Sequence, residues 1–421
     1  MTISFADFRT ALRHVTCFVK RWSGGSQTKK RRRDRVTKTK SVTALAAAAL
    51  LSASFAVPGV AQTIRIGVNE PLTGPFAASG TYVVNGAKIA ADEVNAKGGV
   101  LGKKIELVIE DNKSNPTEAA AVAEKLITND KVPVMMGAWG SSLTLAVMPK
   151  LLEYKVPMLV ETSSSGKITT SGNPYIFRIS PPSSVEAHAF KDIFPKLHIK
   201  KVDFLVINND WGRGAAEDFG KMLKANGVQV GNVETMDQAA QDMSAQLSKM
   251  KSSDSDTIMV TTAVEQLTLV LKQAAALGIK KQIVTTGGSQ NPDQLIDQAG
   301  AAANGTYHLT TFAPWFADDT PDPAATKYFL GEWKKRGFHF AGATESFRGY
   351  DGIRTIVRAI EKAGKAEPAA IKDGMWKVDF SGLNGKIKFE KQGPAGRESG
   401  QSFPNVYLIK IDGGKISLPK L

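Results

Sequence analysis

From Thr63 onward the chain repeats one pattern: a short apolar run of strand length, a turn rich in Gly, Ser or Asn, then a longer run with apolar residues at helical spacing. A first set has strand-like runs at 64–68, 105–109, 131–136 and 156–160. Between them lie helical patterns at 82–96, stopped by Gly98-Gly99, from Pro116 to about residue 130, and beyond Ser141. Such a βαβα order calls for a parallel sheet covered by helices on both faces. The rhythm breaks at Tyr175-Ile-Phe-Arg-Ile-Ser-Pro-Pro182 and then restarts. A second set has strands at 202–207, 227–230, 257–260, 282–285 and 305–309, with helices ending at 225 and spanning 241–251 and 265–277. Helical patterns at 322–336 and 345–362 follow, and 385–389 and 406–411, the latter before Asp412-Gly-Gly414, read as antiparallel strands with a hairpin turn. The fold class is α/β, with two doubly wound lobes of similar size, and two like sheets in one chain invite a cleft between them.

A chain of 421 residues is long enough for two such cores. Its net charge of +14 suggests a nucleic-acid binder until the distribution is considered. Residues 1–61 hold 12 of the 54 basic and 2 of the 40 acidic side chains, which leaves the remainder with a net charge of only +4. Those basic residues form a solvated surface rather than a phosphate-tracking stripe, so no nucleic-acid partner is expected. Within 1–61, Lys38 and Lys40 precede an apolar run of 16 residues, 42–57, and then Pro-Gly-Val-Ala61. That is the order of a signal peptide, with cleavage giving a mature start near Gln62 and a periplasmic location. The stretch before it is long for such a leader, and Val36, read from a GTG codon, is an alternative start. The single Cys, Cys17, lies in the leader, so the mature chain is expected to be stabilised without disulfides.

Two strand-to-helix turns hold the candidate site. Val134-Met-Met-Gly-Ala-Trp-Gly-Ser-Ser142 and Glu161-Thr-Ser-Ser-Ser-Gly166 each follow a buried strand, and each ends in Gly and Ser where a helix begins. Free backbone N–H groups and small hydroxyls at such a place suit an anionic group, with the helix dipole contributing about 0.3–1 kcal/mol. Ordinary helix capping by the serines is the other account. Two turns side by side at the carboxyl edge of one sheet add weight to the anion site, because open α/β sheets bind ligands there.

The residues resemble the type I periplasmic solute-binding proteins of branched-chain amino acid ABC transport systems. The likeness spans 62–421 and rests on Ile66-Gly-Val, Pro71-Leu-Thr-Gly-Pro75, Asn95-Ala-Lys-Gly-Gly99, Gly137 to Ser142, Tyr175-Ile-Phe-Arg178, Asn209-Asp-Trp-Gly212 and Leu271-Lys-Gln-Ala-Ala-Ala-Leu-Gly278. It implies two lobes joined by three crossovers near Ser180, Thr310 and Phe380, with 62–180 plus 311–380 as lobe one and 181–310 plus 381–421 as lobe two. It further implies a monomer that closes over a small carboxylate-bearing solute and docks on a membrane permease, without a cofactor or metal. Carried over by position, Ser141 and Ser142, Ser163, Ser164 and Ser165 offer hydroxyls and amides to the ligand. Trp139 borders the site, Trp211 lies over the ligand, and Tyr350 stands at the cleft.

One departure bears on the solute. Amino acid binders of this family place an acid after a lobe-two strand to pair the ligand ammonium, and here Thr285-Thr-Gly-Gly-Ser289 puts Gly287 at that position. Ala263 likewise replaces an aromatic. An unpaired buried ammonium costs several kcal/mol. Either Glu161, Glu265 or Glu345 serves instead, or the ligand is an aromatic or aliphatic acid without an ammonium. Enzyme motifs are missing: there is no Gly-x-Ser-x-Gly elbow, P-loop or paired-His zinc motif, and Gly212-Arg-Gly214 lacks the third glycine of a dinucleotide fingerprint. The remaining competitor is a periplasmic ligand-sensing partner of a signalling receptor.

Overall fold

The computed structural model describes residues 63–419, so the leader and its cleavage point lie outside the described residues. The first set of strands is β1 (Ile64–Glu70), β2 (Ile105–Asp111), β3 (Met135–Gly137), β4 (Met158–Val160) and β5 (Ile176–Arg178); the second is β6 (Lys201–Ile207), β7 (Gln229–Met236), β8 (Thr257–Thr261), β9 (Gln282–Thr286) and β10 (Tyr307–Thr310). The tail adds β11 (Asp379–Gly382), β12 (Gly385–Lys388), β13 (Glu390–Gln392), β14 (Ser399–Gln401), β15 (Tyr407–Asp412) and β16 (Lys415–Ser417).

Two seven-stranded sheets result, and their orders correspond: β13-β14-β5-β4-β3-β1-β2 in one lobe and β16-β15-β10-β9-β8-β6-β7 in the other. In each, five parallel strands follow the doubly wound order and an antiparallel hairpin of the tail closes one edge. Both faces are covered: successive residues, whose side chains point to opposite faces, are buried along 66–70 of β1 and from Phe204 through Leu205 and Val206 to Ile207 of β6.

The α-helices are α1 (Ala77–Ala96), α2 (Pro116–Thr128), α3 (Ser141–Tyr154), α4 (Lys167–Thr170), α5 (Ser183–Phe190), α6 (Asp210–Ala225), α7 (Ser244–Ser252), α8 (Val264–Ala276), α9 (Pro292–Ala299), α10 (Pro323–Lys335), α11 (Ala343–Ala363) and α12 (Pro368–Met375). Helix α1 begins at Ala77, five residues before the first position of its clear apolar periodicity. Helix α11 returns from the second lobe to lie against α1, so closely that a Cβ on Gly86 would stand 1.8 Å from the Ser346 carbonyl oxygen and one on Gly349 1.9 Å from that of Val83. Only glycine permits this approach, and it fixes the helix whose other face reaches the cleft. Among the described residues no helix is long and apolar enough to cross a membrane.

The third crossover differs from expectation. Residues 381–401 were assigned to lobe two, but β14 pairs in parallel with β5, Gly400 opposite Phe177 and Gln401 opposite Arg178. The Arg178 Nε donates to Gln401 Oε1 at 2.6 Å and fastens that edge. The chain therefore changes sheet between Gln401 and Tyr407, not near Phe380. β11 and β12 form a separate two-stranded hairpin.

Candidate functional site

The end of β3 and the start of α3 form the floor of the site. Gly140 is the N-cap of α3 and makes no side-chain cap hydrogen bond, so the first-turn N–H groups are not capped by it. The Ser141 hydroxyl accepts the Ser165 N–H at 3.1 Å, which joins the turn after β3 to the turn after β4. Ser163 Oγ donates to the Trp139 carbonyl at 2.7 Å and lies 2.8 Å from Thr144 Oγ1. The Ser164 hydroxyl accepts from Ser183 at 3.3 Å. Beneath them Arg178 is wholly buried, and its Nη1 donates to the carbonyls of Ser163 and Ser165 at 3.1 and 2.7 Å. Burial pulls this guanidinium down to about 9, which leaves it cationic at neutral pH.

The second lobe forms the roof. Asn209 caps α6 by accepting the N–H groups of Trp211 and Gly212 at 3.0 and 3.1 Å, and this sets the Trp211 indole over the floor. Trp211 meets Trp139 edge-on, with ring centroids 5.8 Å apart and planes at 86°, and Phe76 backs Trp139 at 4.7 Å. Trp139, Ser141, Ser163, Ser164, Trp211 and Gly287, all expected from the sequence, line one cavity together with Gly140, Thr162 and Ser289. Gly287 has φ +92°, and a Cβ there would lie 2.5 Å from Trp211 Cζ2. The position where an acid was expected is thus occupied sterically by the Trp211 ring. The Gly287 N–H donates to Glu186 Oε2 at 3.0 Å.

Four expected residues do not line this cavity. Ser165 gives its N–H to the Ser141 hydroxyl and its carbonyl to Arg178. Ser142 turns from the cavity to Asp210 of the second lobe, donating to Oδ2 at 2.8 Å and accepting the Asp210 N–H at 3.0 Å. Tyr350 is in the core of the first lobe: its hydroxyl donates to Glu93 Oε2 at 2.5 Å and its ring packs on Phe329 at 5.1 Å. The geometry of α11 gives the reason. At about 100° per residue, Tyr350 stands roughly 140° round the helix from Glu345, and it is Glu345 and Arg348 that face the cleft. Glu161 is buried and lines a second cavity, with Ser180, Thr311, Arg348 and Asn384.

Arg348, not singled out from the sequence, ties the two lobes. Its Nη1 donates to Glu345 Oε1 at 2.9 Å and Ser289 Oγ at 3.2 Å, and its Nη2 donates to the Gly288 carbonyl at 2.9 Å. A Glu and an Arg at i, i+3 normally signal a solvated helix face, so only their burial, 0% and 3% exposed, sets this pair apart. Glu345 Oε1 also accepts the Trp139 Nε1–H at 2.6 Å, while its Oε2 has no hydrogen-bond partner. Glu70 and Glu161 are buried side by side and share a hydrogen bond between their carboxyl groups, while the carboxylate oxygens of Glu265 are buried without a side-chain partner.

Burial raises all of these acids. For Glu70 the negative charge of Glu161 adds to it; for Glu161 and Glu345 the Arg348 cation works in the opposite sense. Glu186 and Glu265 are each pushed up to about 7, chiefly by burial. Among the described residues no group of His, Cys, Asp and Glu is arranged to hold a metal ion.

Residues 63–415 match the family model for periplasmic binding proteins. The leucine-, isoleucine-, valine-, threonine- and alanine-binding protein of Pseudomonas aeruginosa is 28% identical over 348 residues, covering 82% of this chain and 91% of that protein. The branched-chain amino acid transporter substrate-binding protein LivJ of Streptococcus pneumoniae, solved with isoleucine, superposes with a TM-score of 0.72 at 29% identity, covering 85% of this chain and 98% of that one. A solute-binding protein of an ABC transporter from Rhodopseudomonas palustris, solved with 3,4-dihydroxybenzoic acid, superposes with a TM-score of 0.73 at 27% identity, covering 84% and 95%. The chain belongs to the periplasmic binding protein family, in the type I group that contains the leucine-, isoleucine- and valine-binding proteins.

Proposed function

We propose that this protein is the periplasmic substrate-binding component of an ABC importer, holding a small carboxylate-bearing solute between its lobes and presenting it to a membrane permease. It performs no chemistry on that solute. The observation that carries this reading is the start of α3, free of a side-chain cap, opening into a cavity whose opposite wall, Trp211 and Gly287, belongs to the other lobe. A solute carboxylate at this helix start is favoured by the dipole by about 0.3–1 kcal/mol, and by up to about 2 in a partly buried site. The Ser141 hydroxyl, which accepts the Ser165 N–H and keeps its own hydrogen, and the uncapped N–H groups of the first turn of α3 supply donors, and Trp139 and Trp211 supply apolar walls for the body.

Closure follows from contacts that span the lobes. Ser142 with Asp210 joins α3 to the start of α6, and Arg348 with the Gly288 carbonyl joins α11 to the loop after β9. Contacts that exist only with the lobes together raise solute affinity by their own free energy, because solute and closure favour the same arrangement. The free Oε2 of Glu345, beside Trp139 and Ser289, favours an amino acid over a simple acid, with Glu345 taking the ammonium in place of the acid absent at 287.

Native mass spectrometry of the protein as isolated, followed by isothermal titration with leucine, isoleucine, 4-hydroxybenzoate and 3,4-dihydroxybenzoate, tests this. Saturable binding of a carboxylate solute that is lost in Ser141→Ala and Trp211→Ala is expected. A bound species without a carboxylate, or binding indifferent to both substitutions, overturns it.

A further inference from the structure

The register of the first sheet brings two acids together. β1 sets Asn69 opposite Gly137 and β4 sets Leu159 opposite Met136, so Glu70 and Glu161 both fall level with residue 138. Strand β3 ends at Gly137, whose φ of +143° turns the chain out into the floor of the solute cavity. A gap is left between β1 and β4, and the two carboxyl groups meet in it, 0% and 1% exposed, sharing a hydrogen bond. Two carboxyl groups share a hydrogen bond only when one of them holds a proton.

The neighbours decide which. Glu161 accepts from the Thr162 hydroxyl and from its own N–H, and the Arg348 cation acts on it, all of which favour the anion. Glu70 has no such help: burial, then the charge of Glu161 and that of Glu345, favour its protonated form. Asp111, the partner of Glu70 in β2, is turned instead to the Thr73 hydroxyl and to the N–H groups of Leu72 and Lys113. With the proton on Glu70, Arg348 faces two anions, Glu161 and Glu345, and a solute ammonium at Glu345 makes the charges even. Without that proton a third anion is buried in the same place, which burial makes costly.

The pair also joins the two loops that flank the floor. Glu70 leads through Pro71 to Phe76, which backs Trp139. Glu161 leads into Thr162, which lines the solute cavity, and Ser163, which bonds the Trp139 carbonyl. We propose that Glu70 and Glu161 are a positioning pair, in which one proton held by Glu70 and donated to Glu161 keeps Trp139 and the serine loop in place for the solute. This rests on the solute binding between Trp139 and Trp211, but the proton itself is observable without a solute.

The test follows the whole unliganded protein by NMR as pH is raised, with labels at glutamate carboxyl carbons and tryptophan indoles. Glu186 and Glu265 give up their protons at about 7. One glutamate carboxyl is expected to stay protonated above about pH 8 and to be absent in Glu70→Gln. The Trp139 indole resonance should move in step with that carboxyl, and the step should vanish in Glu70→Gln. Glu70→Leu, which keeps the volume but has no donor, should show the displaced indole resonance at every pH. Glu161→Gln, which removes the neighbouring charge, should lower the step by about one pH unit or more, a shift that a merely structural role would not give and one that stands if Glu70→Gln fails to fold. No carboxyl protonated above about pH 8, an indole unmoved through the titration, or a Glu70→Leu resonance like the parent's overturns the proposal. Each of these can fail while the loss of solute binding in Ser141→Ala stands, so the two readings fall separately.

Discussion

The substitution Gly287→Ala isolates the physical reason for the altered cleft. The added methyl group would lie 2.5, 2.8 and 2.9 Å from three atoms of the Trp211 indole, a ring only 5% exposed, at a residue whose φ is +92°. Two costs follow. The backbone cost of an L side chain at positive φ is about 1–2 kcal/mol and falls on the folding of the second lobe. The steric cost falls on Trp211, which must rotate and give up its edge contact with Trp139, worth about 0.5–1.5 kcal/mol beyond area burial. The sum is about 1.5–3.5 kcal/mol, of which only the second part touches the cleft.

A double-mutant cycle with Trp211→Phe separates the two. Phenylalanine lacks the Cζ2 and Nε1 atoms that the new methyl meets, so the double variant keeps the backbone cost and loses the collision. The cycle should be non-additive by about 0.5–1.5 kcal/mol when unfolding is followed in denaturant. Indole fluorescence should shift in Gly287→Ala alone, as Trp211 leaves Trp139. Strict additivity would mean that Trp211 does not fill the space beside 287, and the steric account of the missing acid would fail with it.

Ser142→Ala removes two hydrogen bonds to Asp210, one of them to a charged group. Because Asp210 is 28% exposed and water can replace part of what is lost, the cost to lobe closure is about 1 kcal/mol, a roughly fivefold loss in solute affinity with a larger radius of gyration in small-angle scattering. Tyr350→Phe deletes the bond to Glu93 in the lobe-one core; stability measured in denaturant should fall by about 1 kcal/mol, with solute affinity by titration unchanged. Glu186 keeps its proton in the folded protein up to about 7, whereas the unfolded side chain releases it near 4.5. The folded state thus binds the extra proton through that window, and this residue's contribution to stability falls as pH rises. Glu186→Gln should match the parent near pH 4.5 and exceed it by up to about 3 kcal/mol above pH 7 in urea unfolding; a gap that shrinks with rising pH contradicts the assignment.

The strands of both sheets up to β10, apart from β5, were legible because apolar runs of strand length between Gly- and Ser-rich turns leave few alternatives; β5, three residues long, lies in the stretch read as the break between lobes. The floor of the site was legible for the same reason: Trp139, Ser141, Ser163 and Ser164 follow two of those runs. What was not legible depends on contacts distant in sequence. β13 and β14, Glu-Lys-Gln and Ser-Gly-Gln, carry no apolar alternation, and their place in the first sheet is set by Gln401 meeting Arg178 and Gly400 meeting Phe177. α5 is short, and nothing in Ser-Ser-Val-Glu-Ala-His-Ala-Phe announces that Glu186 accepts the Gly287 N–H. Gly287 stood out as a departure from the family pattern, but its cause, the Trp211 ring, is 76 positions away. Tyr350 was placed at the cleft by family likeness, and the helical phase set by Gly349 against Val83 turns it into the core instead.

These parts combine into a balance that sets when the lobes close. Ser142 with Asp210 and Arg348 with Gly288 hold them together. Glu345 from the first lobe and Glu265 from the second work the other way, since each is buried with unpaired carboxylate oxygens and the charge of Glu345 raises Glu265 further. Separating the lobes would return water to Glu265 and relieve that cost, so an unliganded closed state is held by the clamps against its own acids. A solute that brings donors to Glu345 removes the opposing term without touching the clamps. Selectivity then comes from the same carboxyl that resists closure: a solute lacking the donor can fill the space between the tryptophans, but it leaves Glu345 unanswered and the lobes less firmly shut.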